Sequence, residues 1–418
     1  MNLNRLAALI LGGVLGCAGS GLAAAQTILL TPSFSLSGEY DDNVNLSPTA
    51  PQTDLVTVVI PGLRLEGRDH PWYVTLAGSL RGEFFSTRSE LNNFGDNGSG
   101  NAAVEFRPTP SLTASLTNTL VRSLNPADVD PTTGLTTTGR SVSTNNTLSP
   151  TMRYQITPDT LLGLQYSLSM FRSDAPLSRD SDTHTVDSLV EHRLLPQYSM
   201  SLRHTFNQFR VEGNPAQNSH QPRLGLAHNF SPTIRLSSEN GLLLLDRPDG
   251  STEQTWSSTH RYDQQFRGWA LSLSYDRSSR LAGAIGEAGV SQSLTTATSY
   301  SITRALTLAL NSVLRKTESL GPAGDLRVDS HGIQVNYQPL RSLSMGLQAT
   351  VSDGRSSNRA VDFRTYSGAV QVSYRLLRWL SIRGGYRLER QEDRAVPSDL
   401  GRNVFSLDLT ASDQFRVY

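Results

Sequence analysis

The chain has 418 residues, enough for two or more soluble domains, yet only 37% are hydrophobic and the mean hydropathy is negative. Its 37 basic residues balance 37 acidic ones, which removes any long-range pull toward nucleic acid or an anionic membrane surface. Beyond the first residues no apolar run approaches the roughly 20 residues of a membrane helix, so helical spans are excluded as well.

The N-terminus, MNLNRLAALILGGVLGCAGSGLAAAQ, sets one cation, Arg5, before an apolar stretch and runs out in Ala23-Ala24-Ala25. This is the build of a secretory signal, with cleavage expected after Ala25, so that residues 1–25 are removed and 26–418 fold as one domain outside the cytoplasm. A second cut stays open, because Val14-Leu15-Gly16-Cys17 fits a lipoprotein box in which Cys17 is acylated. Cys17 is the sole cysteine, so no intrachain disulfide forms under either reading.

After the signal the chain reads with a period of two. Phe34, Leu36 and Tyr40 open the series; Trp72, Val74, Leu76, Leu80 and Phe84 then alternate with Tyr73, Thr75, Ser79, Arg81 and Glu83. The pattern returns at Leu162, Leu164, Tyr166, Leu168 and Met170, at Trp269, Leu271, Leu273 and Tyr275, at Leu306, Leu308 and Leu310, and at Val370, Val372 and Tyr374. Each segment runs about 10 to 14 residues, longer than the usual 5 or 6 of a globular strand and matched to a tilted strand that crosses a bilayer.

The links alternate in length. Short ones such as Gly67 to Pro71, Thr157 to Asp159, Ser231 to Thr233 and Arg267 to Gly268 are separated by longer polar ones such as Asp41 to Thr53, Ser123 to Gly139 and Gln391 to Leu400. Tight turns on one side and long loops on the other predict an all-β, antiparallel up-and-down transmembrane β-barrel of about 20 strands, with 18 as the alternative. Lipid receives the apolar faces, and the ring must close because an open edge in hydrocarbon leaves peptide groups unpaired. Trp72, Tyr198, Trp269 and Trp379 follow short links, where a periplasmic aromatic girdle belongs.

If the apolar register faces lipid, the opposite register lines the lumen: Arg64, Arg81, Glu83, Glu105, Arg153, Arg203, Arg235, Glu239, Arg261, Asp263, Arg327, Asp329, Arg364 and Arg383. Both signs are interleaved, which argues for Arg–carboxylate ladders and a polar conduit rather than a strongly selective anion or cation filter. Nearly all the cations are arginine, Lys316 being the sole lysine. The chain has eight histidines but no Gly-x-Ser-x-Gly elbow, His-Glu-x-x-His pair, phosphate loop or cysteine cluster, so it reads as a non-enzyme without cofactor or metal. Oxygen ligands for calcium could be drawn from Asp41-Asp42-Asn43 or Asp128-Val129-Asp130, although solvated loops explain both.

The tokens Gly38-Glu39-Tyr40-Asp41-Asp42-Asn43, Gln52-Thr53-Asp54 and Ile60-Pro61-Gly62, within residues 33–68, resemble the opening of a family of outer-membrane β-barrel porins associated with exopolysaccharide or exosortase-type gene clusters. That resemblance covers under a tenth of the chain and implies a Gram-negative outer-membrane barrel that passes a secreted polysaccharide, with periplasmic export proteins as partners. It supplies no catalytic residues. The final segment, ending Gln414-Phe415-Arg416-Val417-Tyr418, departs from the usual closing strand through Asp413 and Arg416. A general diffusion porin and a nonconducting structural or adhesive barrel remain the alternatives.

Overall fold

The alternating segments become one continuous ring of strands. The computed structural model describes residues 27–124, 140–174, 179–246, 250–282, 287–319, 325–357, 362–395 and 398–417; Cys17, the signal segment, Asp128 to Asp130 and Tyr418 lie outside them. In chain order the strands are β1 (Thr27–Asp41), β2 (Asp54–Asp69), β3 (Trp72–Phe85), β4 (Asn93–Thr109), β5 (Leu112–Ser123), β6 (Ser143–Thr157) and β7 (Thr160–Ser173). They continue as β8 (Ser181–Leu195), β9 (Tyr198–Val211), β10 (Gln217–Ser231), β11 (Ile234–Asp246), β12 (Thr252–Phe266), β13 (Trp269–Ala282) and β14 (Glu287–Ser301). The rest are β15 (Leu306–Ser319), β16 (Leu326–Leu340), β17 (Leu343–Ser356), β18 (Asp362–Leu377), β19 (Leu380–Asp393), β20 (Ser398–Ser412) and the two-residue β21 (Phe415–Arg416).

From β1 to β20 each strand pairs antiparallel with the next in the chain, and β20 returns to β1 from Ser33↔Ser412 to Asp41↔Val404, which closes a barrel of twenty strands. β21 continues β20 after a break and pairs with Leu29 and Leu30 of β1, so Asp413 interrupts the closing strand without opening the seam. Closure leaves no edge for lipid to meet. In the two-residue turn Arg267–Gly268, Gly268 takes φ +79°, a conformation that costs glycine little and that short hairpins require. A Cβ at Gly241 would run into the Pro222 carbonyl oxygen, so glycine is what lets β10 and β11 approach there.

The pleat sorts the side chains as expected. Phe34, Leu36, Leu202, Leu310, Val370 and Leu407 are exposed on the outer face, with Leu407 at 60% and Leu36 at 43%, so the leucines have no second sheet to meet. Val74 is on the same face but only 2% exposed, because it packs on Val104 under Trp72 and Leu76, with the Trp72 and Phe106 rings 4.3 Å apart.

One seam departs from full pairing. β12 and β13 pair from Phe266↔Trp269 to Ser258↔Arg277, while β12 continues with β11 to Thr252 and β13 continues with β14 to Ala282. Above that point β13 leans into the ring: Ser279 Oγ lies 2.6 Å from Ser219 Oγ and accepts from Gln221 (2.7 Å) and Asn207 (3.2 Å), all on the inner wall of β9 and β10. Its cross-strand partner Val290 packs with Phe209, Leu243 and Leu245 in a small dry core inside the barrel. Arg277 bridges the unpaired seam, donating to the Trp256 carbonyl and Thr255 Oγ1 at 3.1 Å each and stacking 4.9 Å from the Trp256 ring.

Candidate functional site: the lumen

Following the register around the ring divides the inner face into four arcs. From β5 to β7 it carries hydroxyls and amides, among them Thr117, Thr147, Ser149 and Ser167, with Arg153 the one cation. Ser149 donates to Ser167 (3.1 Å), Thr147 to Ser169 (3.4 Å), and Ser143 and Ser173 lie 2.9 Å apart, so cross-strand hydroxyl pairs satisfy one another. The arc from β14, below Gly289, to β18 is alike, with Thr295, Asn311, Ser330, Gln334, Gln348, Thr350 and Gln371 interrupted by Arg315 and Arg375. In a twenty-strand ring β6 and β16 are diametrically opposed, so these weakly charged walls face one another.

Between them lie two charged arcs. In the first, centred on β1 to β3, Arg81 reaches both oxygens of Glu39 (2.9 and 3.0 Å) and Glu83 (2.9 Å). Arg140 pairs with Glu83 and stands 5.0 Å over the Phe85 ring. In the second, Arg203 faces Glu239 at 3.4 Å, Arg261 pairs with Asp263 at 2.6 Å, and Arg223 binds Gln221, Ser257 and Thr259. Arg–carboxylate pairs of this kind hold the charges as neutral units and stiffen the wall.

The link 42–53 folds inward. Val44, 1% exposed, packs on Val56, Val58 and Phe85, all on the inner face. The loop is tied down at its base: Arg402 donates to Asp41 (2.6 and 2.9 Å), Asn403 donates through its backbone and side chain to Asp42 (2.7 and 2.6 Å), and Asn43 donates to the Gly401 carbonyl (2.8 Å). Asp41, Asp42 and Asn43 are thus committed to protein partners, and no cluster with metal-ligand character occurs among the described residues. A cavity of about 580 Å³ lies beside this loop, lined by Glu39, Arg81, Arg140, Gln371, Arg387 and Arg402. A larger one of about 1080 Å³ extends from the short-turn end to mid-depth between Arg235 and Asp263 on one side and Ser272, Asn311, Gln334 and Gln348 on the other.

Of the residues expected to line the lumen, Arg64, Arg81, Glu83, Glu105, Arg153, Arg203, Arg235, Glu239, Arg261, Asp263 and Arg383 occupy inward register positions. Arg327, Asp329 and Arg364 do not: they share the register of Ile333 and Val370 and sit on the outer face. They fall within the first four residues of β16 and the first three of β18, at the long-loop end, where the strand has passed the hydrocarbon and its outer face is wet too. The expected girdle residues are at the short-turn end, Tyr198 stacked on His228 (4.1 Å), Trp269 on Phe266 (5.3 Å), and Trp379 beside Pro32 and Phe34. The amides Gln334, Gln348 and Gln371 were not singled out from sequence, although alternation of leucine or valine with an uncharged polar partner along β14 to β18 marks them.

A closed antiparallel barrel, apolar outside and polar within, defines an integral protein of the Gram-negative outer membrane with a channel architecture. No protein-family model and no curated relative matches the chain. It is similar in structure to a mutant ferric enterobactin receptor of Pseudomonas aeruginosa, with a TM-score of 0.53 at 11% identity over 92% of this chain and 80% of that one. A FrpB iron transporter from Neisseria meningitidis gives 0.52 at 9% identity over 95% and 84%, and the ferric citrate transporter FecA gives 0.50 at 11% over 92% and 78%. All three are transport receptors rather than enzymes, and at these identities the likeness is one of fold alone.

Proposed function

We propose that the barrel is a passive conduit through which an extracellular polysaccharide crosses the outer membrane, working with periplasmic export proteins. The observation that supports this most is the pair of opposed hydroxyl and amide walls, β5 to β7 and β14 to β18. A neutral polyhydroxylated chain can exchange hydrogen bonds with such walls at many weak sites, so no single site retains it. Charges gathered into Arg–carboxylate pairs on the other two arcs offer it little electrostatic resistance.

Deletion of the gene should abolish secreted polymer, and the double substitution Gln348→Leu/Gln371→Leu should reduce secretion while leaving assembly and the heat-dependent gel shift of a folded barrel intact. Polymer secretion unaffected by deletion, together with steady conductance in a planar bilayer, would instead assign a general diffusion porin. Neither secretion loss nor conductance would assign a scaffold.

A further inference from the structure

The outer face carries an arrangement that the conduit does not use. At the long-loop end of β15 to β19, just above the exposed band that includes Leu310, Leu347 and Val370, two rows of charge run across the strands. In the row nearer the medium Lys316 pairs across to Arg327, Arg327 to Arg355, and Arg355 to Asp362. Arg394 follows beside Asp362, with its Nη1 4.0 Å away. Directly below, Asp329 opposes Asp353, Asp353 opposes Arg364, and Arg364 opposes Glu392.

Like charges set directly opposite on neighbouring strands are destabilising, and three consecutive cations are a costly choice on a wall with no protein partner. Salt bridges offset part of this: along the strands Arg327 meets Asp329 at 2.7 Å and Lys316 meets Glu318 at 3.0 Å, while Lys316 also meets Asp325 at 3.2 Å and Arg355 meets Asp362 of the next strand at 3.2 Å. The cations stay open to a ligand nonetheless, with side-chain exposures of 68% for Arg327, 66% for Arg355 and 49% for Lys316. The same side chains frame a cavity of about 510 Å³. In the lower row Asp329 and Asp353 line the same cavity.

We propose that this patch binds a phosphorylated glycolipid of the outer leaflet, its phosphate on Lys316, Arg327 and Arg355 and a sugar hydroxyl donating to Asp329. Charge complementarity selects the phosphate, because arginine forks match its oxygens in pairs. The Asp329 carboxylate, 22% exposed beside these cations, favours a ligand that also brings hydroxyl donors. Position selects the lipid-borne form: the row sits where the outer wall leaves hydrocarbon, at the depth of headgroups. Carboxylates and cations nearly balance in the patch as a whole, so the attraction is short-ranged and weakens with salt.

The test uses the full barrel in detergent micelles, titrated with bisphosphorylated lipid A, with fully dephosphorylated lipid A, and with inorganic phosphate. Binding is read by protection of Lys316, the sole lysine, from amine acylation, and by the thermal unfolding midpoint. The bisphosphorylated lipid should protect Lys316 and raise the midpoint, and Arg327→Gln/Arg355→Gln should weaken its binding about tenfold or more, as loss of charge-assisted hydrogen bonds requires. Asp329→Asn/Asp353→Asn should tighten phosphate capture while Arg122→Gln, at another part of the rim, changes nothing. Equal binding of the dephosphorylated lipid, equal protection by inorganic phosphate, or an undiminished affinity in a folded Arg327→Gln/Arg355→Gln protein would overturn the proposal.

Discussion

Val370 and Gln371 are neighbours at mid-strand in β18 and should respond in opposite ways to the same new charge. Val370 is 45% exposed on the outer face between Leu347 and Tyr386, and Gln371 points into the lumen opposite Gly346 and Gly385. An arginine at 370 sits near the bilayer midplane, where lipid-facing Arg costs about 2–4 kcal/mol. At 371 the two glycine partners leave room and water solvates the guanidinium, so the cost should stay within about 0.5 kcal/mol, as for other solvated surface changes. The difference, roughly 1.5–3.5 kcal/mol, is about 10- to 400-fold in the folding equilibrium. Urea titration of Val370→Arg and Gln371→Arg refolded into phospholipid vesicles measures it directly. Equal losses, or a greater loss at 371, would refute the assignment of lipid and water to the two faces.

Arg402→Gln strands the Asp41 carboxylate, whose side chain is 4% exposed, and should cost about 3 kcal/mol as an uncompensated buried charge; Asp41→Asn/Arg402→Gln should recover part of that. Both variants remove one anchor of the inward loop 42–53 while the Asn403–Asp42 and Asn43–Gly401 ties remain, so single-channel conductance in planar bilayers should rise modestly, and unchanged conductance would mean that this anchor does not set how far the loop restricts the lumen. Arg277→Ala removes a charged donor from the Trp256 carbonyl and a cation over its ring, for roughly 2–4 kcal/mol in sum. Amide exchange should then accelerate in residues 252–257 ahead of the rest of β12, and uniform acceleration would place the weak point elsewhere. Leu243→Asn, in the dry core of the inner wall, should cost more than Leu242→Asn at the 47% exposed position beside it when both are compared in detergent, where no bilayer core magnifies the outer change.

The barrel was legible because its strands obey a period that one solvent boundary imposes along their whole length. Phe34, Leu168, Leu308 and Val372 need no tertiary information beyond lipid on one side, and short turns against long loops supply the order of the ring. What stayed hidden depends on contacts far apart in the chain. Leu242 to Leu245 is a run of four leucines, and alternation puts Leu242 and Leu244 outside; Leu243 and Leu245 are dry as well, because Val290 of β14 leans in together with β13, which is unpaired with β12 at that height. Val56 and Val58 break the polar register of β2 for a similar reason, since Val44 descends from its loop to cover them.

Arg327, Asp329 and Arg364 expose a different limit. Alternation assigns a side chain to one face or the other but carries no depth, so reading every charge as lumen-facing fails near the strand ends. Strands of 14 to 16 residues such as β16, β17 and β18 are longer than the roughly 9 to 11 that a bilayer needs, so their upper turns have water on both faces. Above that level charge no longer marks the inside, and the informative signal becomes which charges stand opposite one another. Along β15 to β17 these are Lys316, Arg327 and Arg355 in one row and Asp329 with Asp353 in the next; in the lumen Arg235 opposes Asp263, and the opposed Arg203 and Arg223 have Glu239 close by, 3.4 Å from Arg203. Paired opposites cancel one another's fields along a wall, whereas separated rows leave theirs open to an ion or headgroup of the opposite sign.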